Sequence, residues 1–69
     1  MEYTCDDLLE AKRQIDSTIH KLKEVVKTLE AKENAERYKS QITLAKRRVA
    51  AFTLAGELVE RELKHYEKE

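Results

Sequence analysis

Two apolar stripes run through this chain, each stepping alternately three and four residues, and the two are out of phase. The first is Cys5, Leu8, Ile15, Ile19, Leu22, Val26 and Leu29, interrupted once by Lys12. The second is Ala35, Tyr38, Ile42, Ala45, Val49, Phe52, Gly56, Val59, Leu63 and Tyr66. A 3-4 repeat is the seam of one α-helix lying along another. Continuing the first register beyond Leu29 would put Glu33 and Glu36 on the stripe, whereas the apolar residues Ala35 and Tyr38 lie two positions on. Two positions are a rotation of about 200° at 100° per residue. One unbroken helix would therefore carry its two stripes on opposite sides, each facing water. Doubling back lets them meet.

The expected fold is accordingly all-α: an antiparallel two-helix hairpin in one domain spanning 1–69. Helix 1 is placed at about 4–32, a turn at about 33–36, and helix 2 at about 37–67. Thr4 and Asp7 have the spacing of a capping box, with Tyr3 and Leu8 placed for a hydrophobic staple. Acidic Asp6 and Asp7 complement the positive end of the helix dipole. No Gly or Pro marks the far end, so Asn34 is the best helix-ending residue available. Pairing the seams is possible with residue numbers summing to 64 or to 71. The second register engages the whole chain: Cys5 with Tyr66, Leu8 with Leu63, Ile15 with Gly56, Ile19 with Phe52, Leu22 with Val49, Val26 with Ala45. Large residues then fall opposite small ones, as native packing density requires.

Helix 2 is apolar beyond its seam. Leu44, Ala51 and Leu58 recur every seven residues on a second face, joined by Leu54, Ala55 and Ala50. A helix apolar all round is buried all round, and one partner helix cannot cover that circumference. Burying Leu44, Leu54 and Leu58 would contribute on the order of 1.5–3 kcal/mol each. The expectation is a homodimer forming a four-helix bundle with helix 2 central, its interface at Leu44, Ala51, Leu54, Ala55 and Leu58. A patch used by a different protein would explain the same residues.

The chain holds 69 residues and one cysteine, which excludes an internal disulfide framework. A lone thiol and an N-terminus without a basic leader point to the cytoplasm. The longest uncharged run, Val49 to Gly56, is far short of the ~20 residues that span a bilayer. Fourteen basic groups balance fourteen acidic ones, so no global field selects nucleic acid or an acidic surface. The one biased segment, 37–48, carries Arg37, Lys39, Lys46, Arg47 and Arg48 with no acid. Doubled in a dimer, it could give salt-sensitive nucleic-acid binding. Those side chains spread around the helix, however, and lack aromatic stacking partners apart from Tyr38, which the seam claims.

Other chemistry is sparse. Glu62 and His65 match the Glu-x-x-His spacing of carboxylate metal sites in bundles, and Asp6, Asp7 or Glu10 could complete a set. Both flank the seam near a fraying end, and solvated residues there explain the match as well. His20, between Asp16 and Glu24, reads as a surface histidine with mild support from helix pairs. Cys5 is expected as a small buried hydrophobe on the seam. Lys12 could fix register as a polar seam residue, although its stem covering apolar surface with the ammonium in water is the favoured reading. With one glycine there is no phosphate loop, and no nucleophile is set beside a base. No enzyme activity and no cofactor are expected. The function expected is that of a non-catalytic adaptor or regulator.

Overall fold

The computed structural model describes residues 2–67, with side chains through Tyr66. Met1, Lys68 and Glu69, the extreme positions of the expected domain, lie outside the described residues. Helix α1 spans Cys5–Glu30, a short 3-10 helix spans Ala35–Tyr38, and helix α2 spans Lys39–Glu67. The two long helices pack side by side, and no strand occurs among the described residues. At 53 × 19 × 14 Å the molecule is one hairpin thick.

Helix α1 starts where local chemistry says it should. Thr4 is the N-cap, and its hydroxyl accepts from the Asp7 N–H at 3.1 Å. The Thr4 N–H donates to the Asp7 carboxylate at 3.0 Å, which closes the capping box. Its end lies two residues earlier than expected. Ala31 is the C-cap in right-handed conformation, and the Lys32 N–H reaches back three residues to the Leu29 carbonyl at 3.3 Å. Asn34 does not act as a left-handed cap: its φ is −111° and no described residue has positive φ. The chain reverses through tightened, 3-10-type turns instead. The Arg37 N–H bonds to the Asn34 carbonyl at 3.0 Å, and α2 proper begins two residues later than expected. Above this turn the Lys32 ammonium lies 5.5 Å from the centre of the Tyr38 ring.

The two stripes do meet. Leu8, Ala45 and Gly56 are buried, and every other seam residue from Ile15 to Leu63 is half-buried. The register is the one whose pairs sum to 71, because a methyl group built on Gly56 would stand 3.3 Å from Ile15 Cγ2. Two ends of the seam depart from expectation. Cys5 is exposed, not a buried hydrophobe. The Tyr66 hydroxyl, which the register sets near it, donates to the Tyr3 carbonyl. Lys12 is held more firmly than a side chain trailing into water. Its ammonium bonds both carboxylate oxygens of Asp16, at 2.7 and 3.0 Å, beside the gap left by Gly56. Asp16, with Glu60 nearby, raises the Lys12 pKa above its ordinary value.

Candidate functional site

A heptad seam is flanked by one column on each side, and in this hairpin the two flanks differ in kind. On one flank α1 places Leu9, Asp16, Lys23 and Glu30, while α2 places Lys39, Lys46, Thr53 and Glu60. Lys23 and Lys46 border the same shallow groove over Val26 and Val49, and Lys46 pairs with Glu30 at 3.1 Å. That broad face is charged and knitted across the two helices. On the other flank α1 places Ala11, Thr18 and Val25, and α2 places Gln41, Arg48, Ala55 and Glu62. Here α1 contributes short side chains, and among the described residues no ion pair joins the two helices on this flank.

The second apolar column of α2 borders this open face. Leu44 and Leu58 are each 49% exposed and Leu54 is 59% exposed. Ala51, between them, is exposed as well, while Ala55 is half-buried against the groove. On the α1 side Val25 adds a further exposed apolar group. The face runs on towards the termini into an apolar depression lined by Tyr3, Asp7, Leu8, Ala11, Leu58, Val59 and Glu62. Tyr3 and Leu8, expected as a staple, thus share one wall. The face owes its character to an imbalance between the helices. Helix α1 is the more amphipathic of the two, whereas α2 spreads apolar groups over seam and back alike. Contiguous exposed apolar groups of this kind are common at sites where another molecule binds.

Of this face, Leu44, Ala51, Leu54, Ala55 and Leu58 are the residues expected from sequence. The contribution of α1 was missed. Its signal was a third seven-residue repeat, Ala11, Thr18 and Val25, standing beside the seam.

The remaining candidates do not converge. Arg37 lies in the 3-10 turn and Lys39 opens α2. Lys39 and Lys46 line a depression together with Glu30 and Glu36, so two acids sit among the bases. Lys39 and Arg47 border another with Ser40, Thr43 and Leu44. Arg48 lies about 160° round the helix from Lys46, so no single stripe of positive charge forms. Glu62 lines the apolar depression and His65 is exposed, one heptad beyond Leu58 on α2. Among the described residues of one chain, no three His, Cys, Asp or Glu side chains are grouped closely enough to hold a metal ion. Asp7 is engaged in the helix cap, where the Thr4 N–H, and then its hydroxyl, hold the carboxyl below the ordinary value. His20 is exposed. No described helix is long and apolar enough to cross a membrane.

Comparisons with known protein families, with curated proteins and with solved structures return no match.

Proposed function

We propose that this chain is a small non-catalytic interaction protein, an adaptor or regulator, that works through its open apolar face. In this reading it homodimerises into a four-helix bundle and engages other proteins through helical surface. One observation carries the proposal: Leu44, Leu54 and Leu58 stand about half exposed in one band while the opposite face is charged. Each leucine, already about half covered, forgoes roughly half of the ~1.5–3 kcal/mol that full burial brings, and a hairpin has no third layer to supply it. Covering the band with another helix uses the same ridge-and-groove packing that joins α1 to α2.

A photocrosslinking amino acid placed at position 54 tests this in the native host, with position 23 on the charged face as control. Crosslinks to polypeptide at 54 and not at 23 are the expected result. Failure to crosslink any protein, a second copy included, at 44, 54 and 58 alike would remove the proposal's basis.

A further inference from the structure

We propose that the open face of α2 is filled by a second copy of this chain, packed antiparallel about a two-fold axis through Ala51. This rests on the proposed homodimer, and it adds which helix face the second copy covers and the direction in which it lies.

The extent of the uncovered surface comes first. The hairpin exposes 5875 Å². A compact monomer of 8.1 kDa would expose about 4,500 Å² by the usual scaling of area with mass. The excess, about 1,400 Å², exceeds the ~800 Å² that each partner contributes to a stable interface of ordinary size. The apolar side can be covered with least loss of charge hydration, since its centre is Leu44, Ala51, Leu54 and Leu58.

The order of residues along α2 then selects the partner. Leu44, Ala51 and Leu58 are spaced symmetrically about Ala51. A two-fold axis there sets Leu44 against Leu58 of the partner subunit, Leu58 against its Leu44, and Ala51 against its own copy. Such a self-complementary patch is what an isologous dimer requires. The flanks agree. In an antiparallel pair, like columns meet at the same flank. Arg47 then falls opposite the partner's Leu54, and Ser40 opposite the partner's Arg61. On the other flank, Arg48 falls opposite the partner's Ala55, and Gln41 opposite the partner's Glu62. No like charges face each other. A parallel pair brings unlike columns together and would set Arg47 beside the partner's Arg48 on both flanks. With alanine at the crossing point, the helix axes can approach to about 8 Å.

The experiment uses the full chain, with Cys5→Ser as background so that the exposed native thiol forms no link. The unaltered chain is first sedimented at 10 µM, where a dimer is expected. Ala51→Cys should then form a disulfide-linked dimer on mild oxidation, since two residues on the axis fall within disulfide reach. Leu44→Cys should not link to itself, because antiparallel packing sets the copies about 21 Å apart along the axis. Mixed with Leu58→Cys, it should link across. Leu44→Glu removes two half-exposed leucines per dimer, puts carboxylates in their place, and should raise the dissociation constant at least tenfold. Leu44→Glu combined with Leu58→Lys should recover much of the loss, because each new carboxylate meets a new ammonium. Circular dichroism confirms that each variant remains helical.

A dimer in which position 44 links to itself would overturn the antiparallel geometry and leave the binding face standing. A monomer at 1 mM would overturn the second copy altogether. Crosslinking at position 54 to a foreign protein would then preserve the broader function, and silence there would end both.

Discussion

At Gly56 the absence of a side chain lets Ile15 approach α2, and a methyl group there would meet Ile15 Cγ2 at 3.3 Å. That distance is tight, but Ile15 is half-buried and free to move a few tenths of an ångström. Alanine also improves helix propensity by about 0.5–1 kcal/mol. Gly56→Ala should therefore raise the thermal midpoint slightly, while Gly56→Leu should destabilise by about 2 kcal/mol through overpacking. Thermal unfolding of both variants decides this. The N-terminal cap is a second residue-scale device. Thr4→Ala should cost about 1 kcal/mol. Because folding lowers the Asp7 pKa, the contribution of this carboxylate is present above the ordinary value of 3.8 and fades as pH falls through the lower folded value. Asp7→Asn should accordingly differ from the parent at neutral pH and converge with it in acid, as measured by urea unfolding at a series of pH values. The cap was legible in sequence because all its atoms lie within four residues. Cys5 was misread because it lies in the first turn of α1, at the open end of the hairpin, where a seam position has few neighbours to cover it.

At the scale of elements, seam phase was the informative signal. Helix type, direction and register follow from where Ile15, Gly56 and their neighbours fall along the 3-4 repeats. Helix ends followed less well, since no glycine or proline punctuates residues 28–39. The reversal is made by tightened turns between Ala31 and Tyr38, and their position is set by the need to rotate the second stripe onto the first. Asn34 gives a direct check. Were it a left-handed cap, Asn34→Gly would stabilise the hairpin. With φ at −111°, glycine gains nothing in the folded state and adds freedom to the unfolded chain. The variant should lose about 0.5–1 kcal/mol, measurable as a lower thermal midpoint. The pairing of Lys46 with Glu30 lies on the exposed surface and should matter little by comparison.

The whole molecule is long and thin. Its Cα radius of gyration is 15.6 Å, whereas a compact chain of this length would have about 11 Å. Side-by-side pairing would double the mass with little change in this radius, to about 16–17 Å for axes ~10 Å apart. End-to-end pairing of rods this long would take it to about 31 Å by the same geometry. Small-angle scattering with the mass taken from forward intensity separates these cases. The apolar column of α2 could be read from sequence because it repeats every seven residues. The contrast between a charged broad face and a bare one could not, since it depends on which flanks of two helices the seam brings to the same side.

The bond from Tyr66 to Tyr3 shows that both described extremities of the hairpin leave from the same end. Because they are neighbours, a short glycine-serine bridge could join them, and the chain could be cut instead between Ala31 and Asn34. The resulting permutant would make α2 first and α1 second, with every seam contact retained. Its folding would show that connectivity is incidental to this architecture.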